Sequence, residues 1–444
     1  MTRKKVLKIK DLNKSFSKNR RFKSSLFLIA NILVGLAPHI FNKKSYLPLI
    51  LVISSVVFIY GLFVISNNRH NKIQQIKSGS FQREEDWPTL DILVAARDEQ
   101  NVIQRLIEML FNLDYPSEKL NIYIIDDGST DDTSLILNNI SKKYPKLNII
   151  TRTSDAGGGK SGALNYALQF TSGEWVFILD ADAQLRNDTL KRLFHFAFDG
   201  SWSAVQLRKS VLNTDNTFLT NGQSMEMVMD AVFQYGRLCS AGVSELRGNG
   251  QLIKKDVLIS CGAFNEETVT DDLDLSIRLL LAKSKIGILW DPPVMEEAVE
   301  SFSALFAQRQ RWAEGGLQRF FDYLKELIFG KLDFSQKFDL TYFVILQYSL
   351  PIISVVDILS SIYFDQNIVY WPISLTAFCV SGIACFYGCY RKNEGPTIPR
   401  PTFRRMVSFL AYLSHWFVII PYVTFKMSIF PKKILWKKTL HKGI

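Results

Sequence analysis

The chain is poor in the two residues that most often build metal or disulfide sites: it has five cysteines and five histidines. Cys239, Cys261, Cys379, Cys385 and Cys389 form no CxxC pair, and the last three share one apolar block. That spacing argues against a disulfide framework or a zinc site. None of the histidines falls inside an acidic cluster, so any acid–base or metal chemistry rests on carboxylates. A mononucleotide P-loop is also missing. Gly157-Gly158-Gly159-Lys160-Ser161 comes near the pattern, but Ser154 stands where its first glycine is required. No internal repeat or low-complexity stretch is evident. The basic leader is long and no small-residue cleavage site follows the first apolar block, which argues against a cleaved signal peptide.

What is present comes in blocks. Ser24–Phe41, Tyr46–Ser66, Leu340–Tyr363, Ile368–Tyr390 and Met406–Phe425 are each long and apolar enough to cross a hydrocarbon core of roughly 30 Å. Between the second and third lie about 270 mixed residues, the size of an ordinary α/β domain. The reading is an integral membrane protein with a soluble middle.

The formal charge of +11 is unevenly placed. Residues 1–23 carry ten Lys or Arg against one Asp, Arg391–Arg405 five against one Glu, and the stretch from Lys426 onward six Lys and no acid. Basic flanks beside apolar blocks report cytoplasmic sidedness and contact with an anionic lipid surface, not nucleic-acid binding. With a cytoplasmic leader, the first two blocks form a hairpin that returns the soluble region to the cytoplasmic face. The fifth block then leaves the basic tail outside, unless Pro421 makes that block re-entrant. The organisation expected is a leader (1–23), two transmembrane helices (24–66), a soluble domain (67–312), an interfacial helix (313–335), about three membrane segments (340–425) and a basic tail (426–444).

The soluble part opens as alternating strand and helix: Leu90–Ala95, Val102–Phe111, Asn121–Ile125, Thr133–Ile140, Trp175–Leu179. The strands are apolar throughout, as in a parallel sheet covered on both faces. Ligands of such folds gather at the carboxyl ends of the strands, and the acidic clusters fall there. Asp126-Asp127-Gly128-Ser129 follows the second strand, where it reads either as a turn with a helix cap or as an acceptor for a nucleobase or ribose. Asp180-Ala181-Asp182 ends the third strand. Residues i and i+2 of an extended chain project to one side, so two carboxylates converge in a way that suits a hard divalent ion completed by phosphate oxygens. Thr270-Asp271-Asp272 precedes a helical run and reads equally as cap and dipole complement. Gln308, Arg311 and Trp312, at i, i+3 and i+4, share one helical face. Arg offers a planar fork to a diphosphate and Trp an apolar wall, or both anchor a helix at the membrane interface. Asp357 lies within an apolar block and receives no role.

In this order and with these gaps, the clusters resemble the signature of inverting, membrane-bound family 2 glycosyltransferases. The resemblance covers about 85–335. It implies a GT-A type nucleotide-sugar-binding domain, α/β with a mostly parallel sheet, flanked by transmembrane helices. It implies a UDP-sugar donor contacted by Ala95, Glu99, Asp126, Asp127, Lys160, Asp180, Gly248 and Asn249, with Mg2+ or Mn2+ at Asp182. Asp272 becomes the catalytic base, acting with Gln308, Arg311 and Trp312. Relatives often carry Asn where this chain has Asp98, which is therefore given no role. The segments 246–251, 265–275 and 310–319 resemble those of members that glucosylate diacylglycerol from UDP-glucose, so the acceptor expected is a membrane lipid. The alternative is a processive synthase of the cellulose, chitin or hyaluronan type, which shares every catalytic motif.

Overall fold

The computed structural model describes residues 19–41, 46–70, 86–430 and Gly443. Most of the basic leader and of the lysine-rich tail lie outside the described residues. Two long helices, α1 (Arg20–Ile40) and α2 (Leu47–Ser66), come first. The α/β domain follows as β1 (Leu90–Ala96), α3 (Ile103–Phe111), β2 (Leu120–Asp127), α4 (Thr133–Lys143), β3 (Leu147–Arg152), α5 (Gly159–Ala167), β4 (Trp175–Leu179), α6 (Thr189–Asp199) and β5 (Ala204–Val211). It continues with α7 (Phe218–Ala241), β6 (Gln251–Lys254), α8 (Lys255–Ser260), α9 (Asp271–Leu281) and β7 (Ile286–Glu296). Then come α10 (Phe302–Asp322), α11 (Leu324–Phe329), α12 (Phe334–Val344), one π turn (Ile345–Ser349), α13 (Leu350–Tyr363), α14 (Trp371–Tyr390), α15 (Phe403–Leu413) and α16 (Trp416–Ile429).

The seven strands lie in the order β3-β2-β1-β4-β6-β5-β7. All neighbours are parallel except β6, which runs antiparallel to β4 and β5. The chain steps outward from β1 to β3 and then returns to the other side of β1 as β4. That reversal is a topological switch point, where a crevice opens at the strands' carboxyl ends. The period-2 alternation of side chains divides the core in two. Ile92, Val94, Phe177 and Leu179 pack on one face with residues of α3 and α6. Leu93, Ile125, Val176 and Ile178 pack on the other with residues of α5 and α9. β2 runs two residues past its apolar stretch because Asp126 and Asp127 still pair with Thr151 and Arg152 of β3.

Five helical stretches are long and apolar enough to cross a membrane by length and composition: Arg20–Ile40, Leu47–Ser66, Phe334–Tyr363, Trp371–Tyr390 and Phe403–Ile429. The last is interrupted, though not at Pro421, which sits inside α16. The break falls between α15 and α16 at Ser414-His415. The stretch 313–335 is likewise not one interfacial helix. Ala313–Asp322 completes α10, with Ala313, Leu317 and Phe321 buried against Tyr348, Ile352 and residues of α16. Apolar residues that read as lipid-facing are thus taken up by protein.

Polar bonds fasten these helices to the α/β domain. Arg20, at the start of α1, donates from Nε to Asp322 Oδ1 (2.8 Å) and from Nη1 to the Glu267 carbonyl (2.6 Å). Asp339 of α12 accepts from Arg237 of α7 (2.8 Å) and Tyr60 of α2 (2.9 Å). Asp357 lies 2.7 Å from His39 Nε2 and accepts from the Val369 and Tyr370 amides, closing the α13–α14 turn onto α1. Its place in the apolar block is thereby explained as structural.

Candidate active site

Local backbone geometry sets the wall of the crevice. Gly248, at φ +83°, brings its loop against α9, and a Cβ there would stand 3.3 Å from Asp272 Oδ2. Its carbonyl accepts from Lys160 Nζ (3.1 Å). Asn249 is fully buried and its Oδ1 accepts the Asp180 amide (3.1 Å), which fixes the turn after β4. Asp182 is buried, and its Oδ2 accepts the Glu297 amide (3.1 Å).

Lys160 Nζ pairs with Asp180. Burial disfavours its charge, but Asp180, Asp271 and Asp272 outweigh that and raise its pKa. Asp272 sits at the start of α9. Burial, then neighbouring Asp271, pushes its carboxyl up to about 6, against the opposing pull of Lys160 and Arg247. Thr270 occupies the cap position but makes no capping hydrogen bond. A Cβ at Gly315 would collide with its side chain, so this glycine lets α10 press directly on the turn that carries Asp271 and Asp272.

α10 begins with the Ser301 hydroxyl accepting the Ala304 amide (3.3 Å). Gln308, Arg311 and Trp312 face the crevice from this helix. Burial lowers the pKa of Arg311, with Asp180 opposing the shift. Gln308 Oε1 is buried with no hydrogen-bond partner among the described residues. A buried orphan of this kind asks for an explanation, and a ligand hydroxyl in the crevice supplies one. The other arginine of the motif does different work. Arg309 is fully buried, pairs with Glu226, and donates to Tyr412 Oη (3.0 Å).

Ala95, Glu99, Lys160, Asp180, Asp182, Gly248, Asp272, Gln308, Arg311 and Trp312 all line one cavity of about 520 Å³. Asp126, Asp127 and the buried Asn249 are not in its wall. Asp126 accepts the Ser129 amide (3.0 Å) and the Ser134 hydroxyl, so it caps the βα turn. Asp127 pairs with Arg152 (2.8 Å), which in turn holds the Gly157 carbonyl (2.6 Å) of the glycine loop. Asp98, at φ +54°, accepts the Thr130 amide (2.6 Å) and fastens two loops.

Sequence reasoning passed over Lys209. It is 2.8 Å from Glu296, and its Nζ lies 5.9 Å from the centre of the Trp312 ring, inside the cavity. The basic pair Arg208-Lys209 within the buried strand Ala204–Val211 was the available signal. Among the described residues, no group of three or more His, Cys, Asp or Glu side chains is arranged to hold a metal ion. The carboxylates at Asp180 and Asp182 form an incomplete set, which fits a cation whose remaining ligands come from a diphosphate.

The switch-point crevice thus gathers acidic and basic side chains from separate parts of the chain into one cavity, as a site for a charged ligand does. Residues 88–315 match the family described as glycosyltransferase like family 2, and the chain belongs to that family and is a glycosyltransferase. It is 40% identical over 360 residues to a β-monoglucosyldiacylglycerol synthase of Synechocystis sp., covering 80% of this chain and 75% of that one. The enzyme of the same description from Nostoc sp. is 36% identical over 100% of this chain and 94% of its own. Among solved structures, a mannosyltransferase from Pyrobaculum calidifontis in complex with GDP-Man and Mn2+ is similar in fold. It has a TM-score of 0.53 and 17% identity, and covers 91% of this chain and 98% of that one.

Proposed function

We propose that this enzyme transfers glucose from UDP-glucose to the hydroxyl of 1,2-diacylglycerol, with inversion, in a single displacement. The observation that carries this reading is the shape of the cavity. From the charged crevice the same cavity extends between the apolar helices, to Phe343 of α12, Leu346 of the π turn, Ala377 and Phe378 of α14, and Phe417 of α16. Apolar walls continuous with a site of ionic chemistry suit an acceptor that is a hydroxyl on an acyl-bearing lipid. The two relatives at 36–40% identity are named for that product.

In this reading the donor's base and ribose lie at Ala95 and Glu99, near the carboxyl end of β1. Asp182, with Asp180, would hold Mg2+ or Mn2+, which when bound offsets the charge of the diphosphate. Lys160 and Arg311 flank the leaving group and stabilise the charge that grows on it. Trp312 walls the sugar, and Gln308 Oε1 accepts from a sugar hydroxyl. Asp272 takes the proton of the acceptor hydroxyl as its oxygen attacks the anomeric carbon and UDP departs. Its raised pKa suits that task, because a base works best with a pKa near the working pH.

The catalytic domain belongs on the cytoplasmic face, where basic segments flank the apolar ones. Exposed Arg400, Arg404 and Arg405, beside exposed Phe403, would meet an anionic lipid surface there. The direct test supplies purified protein with labelled UDP-glucose and diacylglycerol and separates products by thin-layer chromatography. A labelled lipid supports the assignment; label retained at the origin as polymer contradicts it.

A further inference from the structure

The membrane span Phe334–Tyr363 contains one feature the reaction above leaves unused. Its α-helix is interrupted by the π turn Ile345–Ser349. A π turn inserts an extra residue, re-aims the side chains after it, and is found disproportionately at functional sites. Here it contains Gln347, whose side chain lines the cavity between Leu346 and Leu350. Gln347 is exposed to that space and takes part in no hydrogen bond or ion pair among the described residues. A carboxamide in a membrane-spanning helix is costly without a partner, and two other polar side chains that line the cavity are already used. Tyr342 Oη donates to the Val57 carbonyl (2.8 Å) and Trp416 Nε1 to Glu226 Oε1 (3.0 Å).

The next residue holds the turn against the catalytic helix. Tyr348 is buried, and a Cβ at Gly316 of α10 would collide with its hydroxyl. Gly316 lies four residues beyond Trp312, so the position of Gln347 is tied through Tyr348 to the helix that carries Gln308, Arg311 and Trp312.

We propose that Gln347 is an acceptor-binding residue whose amide N–H donates to an ester carbonyl of the lipid acceptor. This rests on the lipid-acceptor reading. A diacyl lipid whose free hydroxyl reaches Asp272 has its ester groups next to that hydroxyl and its chains beyond them. One cavity is lined by the carboxylate of Asp272, by Gln347, and by the apolar Leu346, Ala377, Phe378 and Phe417. The π turn provides the one donor needed where the acceptor changes from polar to apolar.

The test compares 1,2-diacylglycerol with 1,2-dialkylglycerol, which keeps the hydroxyl and chains but lacks both carbonyls. The wild-type enzyme is expected to favour the diacyl lipid by roughly tenfold in kcat/KM, the worth of one hydrogen bond in a dry site. Gln347→Leu is expected to erase that preference by lowering diacylglycerol use about tenfold while leaving dialkylglycerol use unchanged. Thermal unfolding and UDP binding, measured in parallel, report whether the variant is folded. Equal use of both lipids by the wild type, or a loss in Gln347→Leu that falls equally on both, overturns the proposal and leaves the lipid-acceptor reading standing. Transfer by the wild type to neither lipid overturns that reading, and the proposal with it.

Discussion

The guanidinium carbon of Arg309 lies 3.9 Å from the centre of the Trp312 ring. The same guanidinium is fully buried and paired with Glu226 of α7. Arg309 therefore braces the indole from behind, while Arg311 and Gln308 face the crevice. Arg309→Met removes the brace and leaves Glu226 as an uncompensated buried charge, at a cost of about 3–5 kcal/mol. Thermal unfolding in detergent checks the size. The double variant with Glu226→Gln should be destabilised by much less than the two single changes summed, because the residues act as one pair.

Asp272→Asn keeps size and removes proton affinity. Turnover should fall by roughly 10²–10⁴ while UDP binding stays near wild type. In the wild type, kcat/KM should fall as pH drops through about 6, the value to which burial and Asp271 raise this carboxyl. Near-normal turnover in the variant moves the base elsewhere, to Asp271 first.

The same shift makes a stability prediction of opposite sense. A carboxyl whose folded pKa is raised binds its proton more firmly folded than unfolded. Its contribution to stability is present below the ordinary carboxylate value and is lost as pH rises through about 6. At neutral pH Asp272→Asn should therefore raise stability by an amount of order 1–3 kcal/mol, read as a higher melting temperature, even as it lowers turnover. An unchanged or lowered melting temperature at neutral pH contradicts the raised pKa.

Asp182→Ala should abolish transfer and remove the enhancement of UDP affinity by Mn2+. Titration calorimetry with and without the metal measures it. If affinity in the variant still rises with Mn2+ as in the wild type, the cation is held by other groups.

Gly315→Ala drives a methyl group into Thr270. The helix must move or the turn carrying Asp271-Asp272 must give, at about 1–3 kcal/mol. Turnover should drop more than donor affinity, since the displaced element carries the base and not the donor site.

Much of this was legible in the sequence for physical reasons. The apolar run Trp175–Leu179, bounded by turn residues, has the length and burial of a central strand, and a cluster that follows such a strand lies near the carboxyl end where ligands gather. The roles of individual carboxylates were less legible. Asp126 and Asp180 both end strands, yet the first is used up by Ser129 and Ser134 while the second lines the cavity. Sequence does not distinguish a capped turn from a lined wall when the same residue serves both. Ala313–Asp322 read as interfacial because its apolar face suits lipid or protein alike, and only the arrival of α1, α13 and α16 decides between them. The π turn had no signal in composition at all.

Single transfer to a lipid, from one cavity shared by the crevice and the apolar helices, fixes the stoichiometry of the reaction. The most direct measurement counts glucosyl-lipid formed per UDP released across a wide range of UDP-glucose concentrations. A ratio of one at every concentration, with a product bearing a single sugar, is the predicted result. A product whose length grows with donor supply, with no monoglycosylated lipid at any concentration, would contradict it.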